Sequence, residues 1–270
     1  MSSSSTFLAS DGAGYELTMG RWSRRLALPF LDFVGPGRVE RVLDVGCGTG
    51  RLAEAIGAAA GAGEIHGVDF SPAYIEHARR SNPDPRFVFR VGDACALELP
   101  DAGFDRVLAM LLLHFVTTPE KAIAEMRRVA KPGGTVAAAV WDARGGFVVN
   151  RMFFDTAAAL DPQGAGPRRA RNFTRPMTRP GELGAAWRAA GLLDVVETVL
   201  SIRMEFASFD DYWAPYVGKE GPAAEYVGTL GEAPRARLQE ALRSAYLDGE
   251  ADGARSYAAL AWAVKGTAPG

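Results

Sequence analysis

Cysteine is nearly absent from this 270-residue chain, and the two present, Cys47 and Cys95, show no CxxC spacing. A disulfide scaffold is therefore excluded, and both read as reduced, buried small residues. The three histidines, His66, His77 and His114, are scattered, so no metal site is expected. Charge of either sign is lacking in excess: a formal net charge of −2 supplies no field for gripping nucleic acid. Long apolar runs are missing too. The longest, residues 107–113, is far too short to cross a bilayer, and residues 1–10 carry neither a basic stretch nor an apolar one. The expectation is a cytoplasmic protein with no membrane and no nucleic-acid partner, whose composition, 48% hydrophobic and 23% charged, is that of an ordinary globular chain.

What the chain does have is a strict alternation of short apolar runs and helical patterns. The serine-rich opening, residues 1–5, has nothing to bury and is expected to be disordered, while residues 15–33 predict a leading helix. Gly35-Pro36-Gly37 punctuates the chain before strands at 41–45 and 65–68, which flank a helix carrying Leu52, Ala55, Ile56 and Ala59 and stopped at Gly61 to Gly63. Ser71-Pro72 starts the next helix, since the serine hydroxyl can cap free amides and proline loses nothing at the first helical position. Strands follow at 87–91, 104–112 and 135–141. A helix opened by Thr118-Pro119 and ended by Lys131-Pro132-Gly133-Gly134 lies between the last two. Residues 144–178 read as loop-rich with a short helical piece, 180–190 and 235–247 as helices, and 193–206 and 257–264 as late strands. Alternating strands and helices require right-handed crossovers. The fold class expected is a Rossmann-like α/β three-layer sandwich: a mostly parallel seven-stranded sheet, helices on both faces, and one antiparallel edge strand.

Chemistry concentrates in Leu43-Asp44-Val45-Gly46-Cys47-Gly48-Thr49-Gly50, between the first strand and its helix. Glycine lets the backbone close on a ligand and tolerates positive φ. The spacing is GxGxG, not the GxGxxG of dinucleotide sites, and the acidic Asp44 precedes it. A carboxylate there disfavours a pyrophosphate and suits a cationic amine. Asp69 ends the second strand about 20 residues beyond the loop, the interval at which a carboxylate meets a ribose in related units.

Over residues 41–141 the chain resembles the class I S-adenosylmethionine-dependent methyltransferases, in the branch grouped with ubiquinone and menaquinone biosynthesis and other small-molecule enzymes. The family's motifs stand here as Leu43 to Gly50, Gly67-Val68-Asp69-Phe70-Ser71, Gly92-Asp93-Ala94, Phe104-Asp105 through Leu113-His114, and Lys131-Pro132-Gly133-Gly134. The resemblance implies S-adenosyl-L-methionine as cofactor and S-adenosyl-L-homocysteine as product. It implies that Asp44, Gly46, Cys47, Gly48 and Gly50 form the cofactor loop and that Asp69 accepts both ribose hydroxyls. Phe70 would pack on the adenine, Asp93 would accept from its amino group, and the Ala94 amide would donate to a ring nitrogen. The backbone of Met110 and Leu111 would approach the methionyl group. Tyr15 and Trp22 belong to an amino-terminal helix that closes over the cofactor in some members.

The sulfonium is already an activated donor, so positioning and exclusion of water come first and a base is optional. His114, at the end of the fourth strand, faces the crevice and is the candidate catalytic group, with a pKa of about 6.5 suited to proton transfer near neutrality. Arg168, Arg169, Arg171, Arg175 and Arg179 read either as a solvated face or as a site for an anionic substrate. The expected organisation is an amino-terminal helical lid over 1–34 and a single methyltransferase domain over 35–270, with lid segments around 144–178 and 207–232. The partner is a small-molecule methyl acceptor. An NAD-dependent oxidoreductase rests only on the glycine loop and Asp69. A non-catalytic cofactor-binding relative keeps every motif, and the Asn/Asp-Pro-Pro-aromatic signature of base amino methylation is missing.

Overall fold

The computed structural model describes residues 4–7, 11–36, 40–59 and 62–270. The features expected at residues 1–3, 37 and 61 lie outside these. The chain opens with α1 (Gly12–Tyr15), passes through one π-helical stretch (Glu16–Gly20) and continues as α2 (Arg21–Val34). The alternating unit follows: β1 (Glu40–Val45), α3 (Arg51–Ala58), β2 (Ala62–Asp69), α4 (Pro72–Ser81), β3 (Phe87–Val91), β4 (Phe104–Met110), α5 (Pro119–Val129) and β5 (Ala130–Trp141). Next come α6 (Val148–Leu160), α7 (Ala165–Phe173), α8 (Glu182–Ala189), β6 (Leu193–Phe206), α9 (Phe209–Trp213), α10 (Pro222–Gly228), α11 (Glu232–Leu247) and β7 (Arg255–Thr267).

The seven strands form one sheet in the order β3-β2-β1-β4-β5-β7-β6. β3 through β5 pair in parallel, and β7 runs antiparallel to both of its neighbours. The sheet is apolar on both faces, because alternate residues enter different cores. Val42, Leu108 and Ala137 pack with Leu26, Phe30 and Phe153 on one side; Leu43, Val107 and Val136 pack with Ile123, Met126 and Trp187 on the other. The Trp187 indole reaches back to donate to the Val136 carbonyl at 3.0 Å, tying α8 to the sheet.

Four details differ from the sequence reading. The antiparallel strand is not the edge strand: β7 lies one strand in, with β6 outside it, so the open edge of β5 is filled by the last strand and β6 is left with one partner. β4 stops at Met110, two residues early, because Leu111 takes a left-handed φ of 63° that ends the extended run. Lys131 to Gly134 do not separate α5 from β5; they form an irregularity inside β5, where Gly133 donates to the Ala268 carbonyl at 2.9 Å. Residues 144–178 hold two helices, α6 and α7, whose inward rings Phe153, Phe154 and Phe173 supply the buried face that the loop-like composition concealed.

Strand order reverses between β1 and β4, which leaves a crevice beyond their carboxyl ends. Every sequence motif named above that follows β1, β2 or β4 opens toward that end.

Candidate functional site

A cavity of about 190 Å³ lies in the crevice. Its floor is the glycine loop, the end of β2 and the segment after β4. Its roof is the amino-terminal stretch, through Phe7, Tyr15 and Trp22, and its far wall comes from α6, α7, β6 and the α9–α10 region.

At the floor, the Gly46 and Cys47 amides donate to the Val68 carbonyl at 2.7 and 3.1 Å, which pins the loop to β2. Gly46, Gly48 and Gly50 all have positive φ, of 71°, 54° and 89°. The three glycines are needed for different reasons. A Cβ on Gly46 would stand 2.7 Å from Leu112, whereas one on Gly48 would meet nothing nearer than the Tyr15 ring at 3.9 Å. Gly48 thus presents bare backbone to open space, and Gly50 caps α3 against Asn82 and Ala78.

Asp69 is buried and held from both sides: its Oδ2 accepts the Gly48 amide at 3.0 Å and its Oδ1 accepts the Ser71 amide at 2.9 Å. Burial outweighs these bonds and raises its carboxyl to about 6. Asp44, at the end of β1, is only 1% exposed; neither carboxylate oxygen makes a hydrogen bond of good geometry or meets a cation, and the Ala53 amide is the one donor that eases its charge. Burial, then the neighbouring Asp69 charge, pushes its carboxyl up to about 8. An unpartnered buried carboxylate is costly, and a cation seated above the loop relieves that cost.

Of the residues singled out from sequence, Tyr15, Trp22, Gly46, Gly48, Asp69, Phe70, Met110, Leu111 and His114 line the cavity together. Asp44, Cys47, Gly50, Asp93 and Ala94 stand behind the wall. Cys47 packs inward, and burial raises its thiol well above the ordinary value. Asp93 is engaged elsewhere: its Oδ1 accepts the Ser4 hydroxyl at 2.5 Å and the Cys95 amide at 2.8 Å. Ala94 packs against the core on the α5 side of the sheet.

The roof is fastened to the loop by a residue that sequence reasoning passed over. Glu16 accepts the Thr49 hydroxyl at 2.5 Å and pairs with Arg51 at 2.6 Å, so the π-helical stretch grips both ends of the turn into α3. Tyr15 tilts over Tyr74 with centroids 5.1 Å apart, and the Tyr74 hydroxyl donates to the buried Glu220 at 2.7 Å. Phe7 meets Phe115 edge-on at 4.8 Å, and the Thr6 amide donates to the Phe115 carbonyl at 2.8 Å.

Away from the glycine loop the walls are aromatic, with Trp141, Phe147, Phe154, Phe206 and Tyr212 facing the space. His114 is buried there, its ring 4.2 Å from that of Phe115 and its Nδ1 without a partner. Burial first, and the Arg175 charge second, hold its pKa well below 6.5. The imidazole is therefore neutral, which corrects the expectation that it could take a proton near neutrality without tuning. Arg175 and Asn172, from α7 and the turn after it, complete this end. Neither carries a local signal that separates it from its neighbours. Among the described residues there is no cluster of side chains fit to hold a metal ion.

Residues 43–138 match the family model described as a methyltransferase domain. Among curated proteins, the chain is 42% identical over 124 residues to a demethylmenaquinone methyltransferase of Renibacterium salmoninarum, covering 46% of this chain and 50% of that protein. It is 37% identical over 106 residues to a malonyl-[acyl-carrier protein] O-methyltransferase of Erwinia pyrifoliae, covering 39% of each. The matched stretch spans half or less of these relatives. Among solved structures, a Haemonchus contortus phosphoethanolamine N-methyltransferase 2, bound to phosphomonomethylethanolamine and S-adenosylhomocysteine, superposes with a TM-score of 0.60. That superposition covers 96% of this chain and 57% of the other at 15% identity, a likeness of fold.

Proposed function

We propose that this chain, whose residues 43–138 form a class I S-adenosylmethionine-dependent methyltransferase domain, transfers a methyl group to a small-molecule acceptor by in-line displacement. The observation that carries the reading is Asp44: a buried carboxyl without a cationic partner, directly before a loop that offers bare backbone at Gly48. An ammonium group seated there favours its ionised form, whereas a pyrophosphate disfavours it, which separates the reading from a dinucleotide oxidoreductase.

When bound, S-adenosylmethionine supplies an electrophilic methyl group on a sulfonium. The protein's own part is to hold and to exclude. Asp44 would neutralise the methionyl ammonium, and the Gly46–Gly48 backbone would line the methionyl chain. Asp69 keeps its two backbone donors and turns its remaining lone pairs to the ribose hydroxyls. Phe70 would lie against the adenine, and Asp93 and the Ala94 amide would meet its edge in place of the Ser4 hydroxyl that Asp93 now accepts. The positive φ of Leu111 ends β4 at the cavity wall, where Met110 and Leu111 would flank the methionyl group. Residues 11–34 would act as a lid, and α6, α7, α9 and α10 would enclose the acceptor, so water is kept from the transfer.

The acceptor is a small molecule and not a nucleic acid, in keeping with a net charge of −2. Among the described residues no helix is long and apolar enough to cross a membrane, and the reading places the reaction in the cytoplasm. Calorimetry tests the proposal: S-adenosylmethionine and S-adenosylhomocysteine are expected to bind with micromolar affinity and NAD negligibly. A preference for NAD overturns it.

A further inference from the structure

Arg175 differs from its neighbours in the arginine-rich stretch. Arg168 pairs with Glu225 at 3.2 Å, Arg169 with Asp155 at 2.5 Å and Arg179 with Glu182 at 3.8 Å, and Arg171 is exposed to solvent. Arg175 alone of the five lines the cavity, and among the described residues no carboxylate pairs with it. One of its terminal nitrogens donates to the Thr6 hydroxyl at 3.3 Å and its guanidinium stacks 4.3 Å over the Phe115 ring, but its Nε is buried with no acceptor.

Four further polar atoms in the same walls share that condition, the Tyr212 hydroxyl among them. Asn172, 7% exposed, leaves its Nδ2 unpartnered; His114, 5% exposed, leaves its Nδ1; and the Trp141 indole leaves its Nε1. Arg Nε, an amide NH2 and an indole N–H can only donate. Buried donors are almost always satisfied; Arg175 is half-buried, but its Nε is closed off from water, and these orphan atoms around one cavity point to an acceptor seated among them. The acid whose charge reaches Arg175 is Glu225, and it is already engaged by Arg168. Glu220, also in the cavity wall, receives the Tyr74 hydroxyl and the Asp11 amide.

We propose that this end of the cavity is an anion site, and that its occupant is a carboxylate borne on an apolar, ring-sized body. The single cation suits a monoanion, and its guanidinium together with Asn172 matches the two oxygens of a carboxylate. Phe147, Phe154, Phe206 and Tyr212 suit the body. The neutral imidazole of His114 adds a hydrogen-bonding atom without a second charge. The inference rests on reading the cavity as a cofactor half and an acceptor half.

Calorimetry on protein saturated with S-adenosylhomocysteine tests it, comparing benzoate, 1-naphthoate and decanoate with their neutral amides, and phenyl phosphate with benzoate. Wild type is expected to prefer at least one carboxylate over its amide by about tenfold or more. Arg175→Met is expected to erase the preference while leaving the affinity for S-adenosylhomocysteine within about twofold, and Arg175→Lys to restore part of it. Asn172→Leu gives an independent weakening should the Arg175 variants fold poorly. Absence of a carboxylate preference across the three pairs, its survival in Arg175→Met, or tighter binding of phenyl phosphate each overturns the proposal. Failure to bind S-adenosylhomocysteine instead overturns the methyl-transfer reading, and the carboxylate preference is then read on the protein without it.

Discussion

In the cofactor half, Asp69 takes the Gly48 and Ser71 amides, the Gly46 and Cys47 amides take the Val68 carbonyl, and one carboxyl just behind the wall, Asp44, lacks a cation. In the acceptor half, Arg175, Asn172, His114, Trp141 and Tyr212 each keep an unpartnered buried atom, and much of the remaining surface is aromatic. The first half is preorganised by its own backbone and carries one acid without a cation. The second is a largely apolar pocket that carries one cation without a carboxylate. A ligand pair that is cationic where it meets the loop and anionic where it meets α7 satisfies both, and neither half alone accounts for the whole cavity.

The comparison breaks most completely at Gly48. Gly48→Val places a β-branched side chain at a φ of 54° that costs an L-residue about 1–2 kcal/mol and fills the space open to a ligand. Binding of S-adenosylhomocysteine is expected to fall below detection, on the order of a hundredfold or more, while circular dichroism stays that of the wild type. A folded variant that binds normally would show that the loop faces something else.

Asp44→Asn comes next and separates binding from stability. Loss of a charge-assisted contact worth roughly 1.5–3 kcal/mol weakens the cofactor about ten- to a hundredfold. The ligand-free protein moves the other way. Because the folded carboxyl sits at about 8, above its ordinary 3.8, the folded state holds this proton more tightly than the unfolded chain. The wild type therefore loses stability as pH rises between about 4 and 8, and the variant does not. The melting-temperature advantage of Asp44→Asn is expected to grow across that window and level off above it. An advantage that does not change with pH would mean that Asp44 finds a partner in solution.

The two halves also differ in how far they can be read from sequence. The loop, Asp69 and Phe70 lie within one βαβ unit, where strand ends, glycines and a helix cap fix their positions locally, so their gathering was legible. The acceptor half joins residues from α6, α7, β6 and α9, and its backbone was read partly as loop. Its tie to the roof runs between distant residues: Thr6 to Arg175 is 169 positions apart. Five arginines of like composition gave no means of telling the unpaired one from four that are paired or solvated. Burial decides that, and burial depends on the whole fold.

Glu16 joins the halves, since it fastens the roof above both to the cofactor loop. Glu16→Gln keeps one hydrogen bond to Thr49 and loses the ion pair with Arg51. A partly buried pair of this kind supports an effect of about tenfold or less on cofactor affinity. Hydrogen exchange is expected to rise over residues 11–34 with little change in the sheet, which is the signature of a lid and not of a structural helix. Equal loss of protection in β1 and β4 would make residues 11–34 part of the core.

The smallest effect is expected at His114, and its form matters more than its size. A general base contributes roughly a hundred- to ten-thousandfold, and its loss is hidden as rising pH ionises the acceptor unaided. The His114 ring lies in a buried site beside Arg175, so a proton on it would add a second cation where the first already lacks an anion. The imidazole is better fitted to accept or donate a hydrogen bond than to carry charge. An acceptor that arrives as a carboxylate needs no base in any case. His114→Gln is therefore expected to bind S-adenosylhomocysteine as the wild type does, and to raise the KM of a carboxylate acceptor several-fold. Its turnover is expected to fall by well under a hundredfold, by the same factor from pH 6 to pH 9. A deficit of a thousandfold at pH 6 that closes by pH 9 would restore His114 as the base and remove the anionic acceptor from the argument.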